Sequence, residues 1–300
     1  MTTVLRITWF TLLTLLPVAA LAADPLPSAE PFPVRVVRNV TYASPGGEAL
    51  KLDLAVPKDG GPYPAVVMFH GGAWRMGGRA DLSRGAKNKA GTVGPSAIEV
   101  FAARGYVVAS VSYRLAPKHQ FPAQIDDARA AVRFLRANAK TYNLDPDRIA
   151  AVGFSAGGHL ALLLGLAPDP GEPSARVNCV VSYFGPTDLS LYAATPGIEE
   201  AYMVPLLGEK CRTDPAVYKR ASPIDFVTKD APPVLMIHGT ADLLVPIIHS
   251  ERLQKKLRDA GATADLLTVR GEGHGWSGPP AAATTAAALR FLDEQLRGGK

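Results

Sequence analysis

VGFSAGGHLALLLGL, residues 152–166, sets a serine among small residues at the start of an apolar, helix-like run. The segment leading into it, RIAAVGF (148–154), reads as a buried strand, so Ser155 stands where a strand turns directly into a helix. So tight a turn has steric demands. Side chains two residues before and two after the serine would collide across it, which accounts for Gly153 and Gly157, and the serine itself is held in a strained backbone conformation. The gain is placement: the hydroxyl is pushed out at the carboxyl end of a strand, and Ala156 offers a free N–H at the positive end of the following helix. A G-x-S-x-G in this strand-turn-helix setting marks a nucleophilic serine more strongly than an ordinary helix cap.

Outward from this turn, strand-like runs are predicted over 34–42, 49–56, 65–70, 106–113, 148–154, 178–184, 233–238 and 264–270. From the third onward they are continuous apolar runs, as expected of strands covered on both faces. Helical patterns lie between or after them over 121–142, 155–167, 250–261 and 284–296. Alternating strand and helix predicts an α/β architecture: a mostly parallel central sheet of about eight strands, helices on both faces, and the first two strands as a hairpin at one edge. One domain spanning 24–300 accommodates all of it, with a loop-rich insertion over 186–225 available as a small lid.

A serine hydroxyl is a weak nucleophile at neutral pH and needs a base, an acid that orients the base, and donors for the oxyanion that develops. Among six histidines, His274 in RGEGHGW directly follows the last predicted strand, in a glycine-rich loop that lets an imidazole reach the upper edge of the sheet. His70 and His238 end strands and fit structural hydrogen-bonding roles, His159 lies inside the helix after the serine, and His119 and His249 read as surface or helix-start residues. Asp242, at the tip of the strand PVLMIHG, is the acid that strand order brings near His274; Asp188 in FGPTD is the alternative, with a turn-closing role as its other reading. The oxyanion donors are expected from the backbone of Gly72 and Ala73 in HGGAW and from Ala156. Trp74, Trp276 and Tyr183 are candidates for the pocket wall, and Tyr202 is a further one for stacking on a ring.

These motifs together, HGGAW, SYRLAP, FPAQIDD, DPDRIAAVGFSAGG, FGPTDL, APPVLMIHGTADLLVP and GEGHGW, occur in an order that resembles the α/β-hydrolase carboxylesterases carrying an HGGG-like loop, near the acetyl and feruloyl esterase group called BD-FAE. The resemblance covers most of residues 45–297. It implies an α/β-hydrolase fold, Ser155 as nucleophile with Asp242 and His274 as its partners, and Gly72, Ala73 and Ala156 as oxyanion donors. Ala73 replaces the usual third glycine; no backbone donor is lost, but its methyl narrows the space beside the acyl group. The implied activity is that of a serine carboxylesterase on short-chain acyl or hydroxycinnamoyl esters, small or linked to plant-wall polysaccharide. A prolyl-oligopeptidase-type peptidase and a non-catalytic binding module on the same fold are the other readings; the first lacks a propeller domain, and the second is at odds with catalytic positions that are all filled.

Composition sets the remaining bounds. At 300 residues, 47% hydrophobic and 20% charged, the chain can bury a full core, and a net charge of +5 with scattered basic residues gives no nucleic-acid footprint. Residues 1–23 combine Arg6, an apolar centre and Ala20-Leu21-Ala22, which reads as a secretory signal peptide and predicts a secreted or periplasmic protein without stable membrane insertion. Export makes a Cys179–Cys211 disulfide chemically possible, but one cysteine falls in a buried strand and the other in a loop, so two free thiols are expected. Two further acids, Asp126 and Asp127, open a helix, and Asp127 is placed to pair with Arg114. No metal-ligand spacing, phosphate loop or nicotinamide fingerprint occurs, so no metal or cofactor is expected.

Overall fold

The structure, a computed structural model, describes residues 30–85, 93–193 and 195–298. The expected signal peptide lies outside the described residues. Among those described, eight strands form one sheet: β1 (Val34–Ala43), β2 (Leu50–Pro57), β3 (Tyr63–Phe69), β4 (Val107–Val111), β5 (Leu144–Phe154), β6 (Cys179–Tyr183), β7 (Val234–Gly239) and β8 (Ala264–Val269), in the order β1-β2-β4-β3-β5-β6-β7-β8. The β1–β2 hairpin lies at one edge, β2 runs antiparallel to β4, and every pairing from β4 to β8 is parallel. This is the mostly parallel α/β sheet anticipated from the apolar runs, in the α/β-hydrolase arrangement that the resemblance implies.

The unbroken apolar character of the inner strands has the predicted cause. Ala65, Val67 and Phe69 of β3 face one core and Val66 and Met68 the other, and β5 divides in the same way between Ile149 and Ala151 on one side and Ala150 and Val152 on the opposite side. Three helices cover the first face: α2 (Ala123–Ala137), α3 (Ala156–Leu166) and α5 (Ile248–Asp259). The second face is covered by α1 (Ala97–Ala102) and α6 (Pro279–Arg297). On α2 the buried residues Ile125, Ala128, Val132 and Leu135 recur at helical spacing, whereas α3 is apolar all round and nearly every residue of it is buried. Truncating a large side chain in such a core typically costs about 2–5 kcal/mol.

Three local findings refine the reading of the sequence. The insertion after β6 is not loop-rich: it is a chain of short helical turns leading into α4 (Pro215–Ala221). Asp127 accepts a fork from Arg114, at 2.7 Å from Nη2 and 2.9 Å from Nε, and also accepts the Arg114 backbone N–H at 2.8 Å, so α2 anchors the loop after β4. Cys179 and Cys211 are free thiols, both buried and in the separate cores on opposite faces of the sheet. Burial pushes the Cys179 thiol up to about 12, which keeps it protonated.

Candidate active site

The carboxyl ends of four parallel strands deliver the candidate residues to one place. β3 runs into His70 and the loop 71–77, β5 into Ser155, β7 into the turn holding Asp242, and β8 into the loop holding His274. At the serine the steric argument is visible in numbers. Ser155 has φ 53°. A Cβ on Gly153 would sit 2.0 Å from the carbonyl oxygen of Gly157, and one on Gly157 would sit 2.1 Å from that of Phe69. Both distances are far inside van der Waals contact, so only glycine fits at either position.

His274 Nε2 lies 2.8 Å from Ser155 Oγ, and His274 Nδ1 lies 2.7 Å from Asp242 Oδ2. The carboxylate accepts only, so Nδ1 carries the proton and Nε2 presents its lone pair to the serine hydroxyl. Asp242 is buried, and its other oxygen accepts the backbone N–H groups of Leu244 and Val245, each at 2.9 Å. Burial alone would raise its pKa. Hydrogen bonds from His238, His274 and the Val245 N–H outweigh that and hold the carboxyl well below the usual carboxylate range. His238 is itself fixed, with Nε2 donating to the Val245 carbonyl at 2.7 Å and Nδ1 2.7 Å from Ser250 Oγ. The His274 ring also packs edge-on against Phe184, centroids 4.8 Å apart.

Asp188 takes no part in this run of hydrogen bonds from Ser155 to Asp242. It accepts from the N–H of Ser190 at 3.2 Å and pairs with Arg252 at 3.0 Å, the turn-closing role that was its other reading. Of the remaining histidines, His119 lies at the surface beside Glu48, whereas His249 starts α5 but is buried, its Nδ1 accepting the Thr187 N–H at 3.2 Å.

Gly72, Ala73 and Ala156 line the same cavity as Ser155 and His274. The N–H groups of Gly72 and Ala73 have no hydrogen-bond partner among the described residues, and that of Ala156, first in α3, has none available within the helix. Gly72, Ala73 and Trp74 have φ of 103°, 51° and 58°, a run of left-handed residues of which two carry side chains. An arrangement with an activated hydroxyl and free N–H groups converging on one cavity can attack an acyl carbon and bind the oxyanion that forms.

The cavity measures about 350 Å³ and its wall is largely apolar. Trp74 lines it, as expected, together with Phe154, Phe184, Tyr192, Ile198, Tyr202 and Met203, while Met76 and Leu244, 66% and 41% exposed, lie at its mouth. Two expected wall residues are elsewhere. Tyr183 falls on the face of β6 that packs against α6, where its hydroxyl donates to the Thr284 carbonyl at 3.1 Å, and Trp276 lies beyond Phe184 in a neighbouring cleft, its indole N–H donating to Thr284 Oγ1 at 3.1 Å. Phe184, one residue beyond Tyr183, takes the wall position instead. Sequence reading missed Tyr192, Ile198 and Met203, because their approach to the cavity depends on how the insertion folds back and no local pattern carries that information. Among the described residues, no group of acidic, cysteine or histidine side chains could hold a metal ion.

The family model described as BD-FAE matches residues 52–257. Esterase LipC of Mycobacterium tuberculosis is 33% identical over 253 residues, covering 79% of this chain, and this chain spans only 59% of the length of that relative. Among solved structures, a truncated carbohydrate esterase from gut microbiota superposes with a TM-score of 0.71 at 31% identity, covering 90% of this chain and 99% of the other. A thermophilic esterase of Thermogutta terrifontis, Est2, solved with propionate bound, gives a TM-score of 0.69 at 27% identity, covering 88% and 94%.

Proposed function

The chain belongs to the BD-FAE family, and from that premise we propose that it is a serine carboxylic ester hydrolase that forms its acyl-enzyme on Ser155. The observation that carries the proposal is the continuous Ser155–His274–Asp242 relay at 2.8 and 2.7 Å, opening into a cavity lined by Gly72, Ala73 and Ala156, whose backbone N–H groups have no partner among the described residues. His274 takes the hydroxyl proton through Nε2 as Ser155 Oγ attacks the ester carbonyl, and Asp242 stabilises the imidazolium through Nδ1. The N–H groups of Gly72, Ala73 and Ala156 bind the oxyanion. Collapse of the tetrahedral intermediate expels the alcohol, which leaves with the proton from His274. Water then attacks the acyl-serine by the same route in reverse and releases the acid.

The preferred acyl group is short or aromatic. A cavity of about 350 Å³ walled by Trp74, Phe184, Tyr192, Tyr202 and Met203 suits acetyl to butyryl chains or a hydroxycinnamoyl ring, and among the described residues no Asp, Glu, Lys or Arg lines it to recognise an ionic substrate. The propionate carried by Est2 and the likeness to a carbohydrate esterase support an acyl group of this size on an alcohol that can be a sugar. The proposal extends to polysaccharide-linked esters met outside the cytoplasm, on the strength of the signal-like residues 1–23. One panel tests it: product release from p-nitrophenyl acetate, methyl ferulate, acetylated xylan and p-nitrophenyl palmitate. Turnover of the first three with little of the last is expected. Hydrolysis confined to palmitate would overturn the substrate class, and no hydrolysis of any ester would overturn the activity.

A further inference from the structure

The donors for the oxyanion come from two separate pieces of chain, the loop 71–77 after β3 and the first residue of α3, and something must set the distance between them. The loop cannot do so alone. Three consecutive left-handed residues, two of them with side chains, persist only where the surroundings over-determine them. One holding contact comes from the loop after β4, the Ala116 N–H donating to the Trp74 carbonyl at 2.8 Å, and a second reaches the insertion, Arg75 Nη1 donating to the Ala201 carbonyl at 2.6 Å.

The third contact runs to the helix. His159, one turn beyond Ser155 on α3 and fully buried, faces Trp74 edge-on with ring centroids 5.1 Å apart. Trp74 Nε1 donates to His159 Nδ1 at 3.2 Å, and His159 Nε2 lies 2.7 Å from the carbonyl oxygen of Ala221 at the end of α4. An indole N–H only donates and a carbonyl only accepts, so the imidazole is neutral with its proton on Nε2. The same ring therefore touches the oxyanion loop, the helix that presents Ser155 and Ala156, and the insertion that walls the cavity.

We propose that His159 is a positioning residue that fixes the two halves of the oxyanion site in register. The inference rests on the esterase reading of the site. Its consequence is specific: His159 touches no substrate, so its loss weakens binding of the oxyanion in the transition state and leaves ground-state binding in the cavity alone.

The test compares His159→Leu, His159→Asn and Trp74→Phe, each verified as folded by thermal melting, with the wild type on p-nitrophenyl acetate. His159→Leu and Trp74→Phe should each lower kcat roughly five- to tenfold, the worth of one buried hydrogen bond; KM should stay within about twofold in His159→Leu, whose side chain touches no substrate, whereas Trp74→Phe also reshapes the cavity wall. The double variant His159→Leu with Trp74→Phe should be no slower than the worse single one, because both remove the same bond. Asparagine places an acceptor where Nδ1 stands and should restore most of kcat. Backbone amide exchange over residues 71–76 should quicken in His159→Leu and not in His159→Asn. Additive losses, an asparagine variant as slow as leucine, or unchanged exchange would overturn the proposal, and Trp74→Phe tests the same bond should His159→Leu fail to fold. A wild type that hydrolyses no ester would sink the esterase reading instead, while the exchange comparison, which needs no turnover, still decides the tie.

Discussion

His274 Nδ1 and Asp242 Oδ2 lie 2.7 Å apart although 32 positions separate them in the chain, with β8 between them. The contact selects the tautomer that leaves Nε2 free to accept the Ser155 proton. Asp242→Asn presents an amide that can donate, which favours the wrong tautomer and should lower turnover of p-nitrophenyl acetate by about 10⁴. Asp188→Asn, which alters only a turn and the pair with Arg252, should leave the rate within a few-fold. Rates in the opposite order would move the acid to Asp188.

Ser155→Ala should abolish hydrolysis without changing the melting temperature by more than a degree or two, since the hydroxyl stabilises nothing but its own relay. A fluorophosphonate probe should attach to Ser155 in the wild type and to nothing in the variant. Peptide mapping of the labelled protein checks this, and a label on any other residue would displace the mechanism.

Acyl-chain preference should be set by Met203, which is buried and closes the wall of the cavity. Each methylene that enters gains roughly 0.8 kcal/mol and each that stays in water gains nothing, so kcat/KM should rise to about butyryl and then fall. Met203→Ala opens the wall and should move the optimum toward hexanoyl or longer. An optimum unchanged in that variant would mean that the acyl chain lies elsewhere.

Gly157→Ala should destabilise the protein by about 2 kcal/mol or more, because the added methyl meets the Phe69 carbonyl at 2.1 Å and backbone has to move. Urea unfolding provides the measurement. A variant as stable as the wild type would show that the turn relaxes freely, and the strained placement of Ser155 would lose its explanation.

Stability should fall as pH drops from about 6.5 toward 4, the window between an unfolded imidazole and the buried rings of His159 and His249. Burial pulls His159 and His249 down to about 4, so the unfolded chain takes up protons there that the folded chain refuses. Each contributes stability that is fully present above the window and lost within it, up to about 3 kcal/mol. The depressed carboxyl of Asp242 adds a further loss in the same direction below about pH 4. Urea midpoints at pH 7, 5.5 and 4.5 should decline in that order; a flat or rising series would contradict the neutral, buried state of both rings.

The sequence carried the sheet because inner strands covered on both faces must be apolar throughout, and it carried Ser155, Asp242 and His274 because strand ends and glycines mark where chemistry can be displayed. Tyr183 and Trp276 escaped it. At a strand end the side chain of one residue points to the face opposite its neighbour, and nothing local in SYFG says whether Tyr183 or Phe184 turns toward the serine. Helix α1 does carry a signal legible in its residues, since Ser96 and Glu99 form a capping box with the Ser96 N–H 2.9 Å from the carboxylate. The insertion was opaque for another reason: its short turns gain their stability from packing on the cavity and on α3, not from any repeat in their own residues.

The burial of both native thiols makes the protein a convenient host for a single reporter. Cys179 and Cys211 are sequestered in different cores, so a maleimide dye offered to the folded protein finds neither. Leu243, 91% exposed and adjacent to the carboxylate that orients His274, is then a natural place for one new cysteine. A fluorophore on Leu243→Cys would sit beside the cavity mouth and register ester binding and acid release in real time, with no native cysteine to remove first.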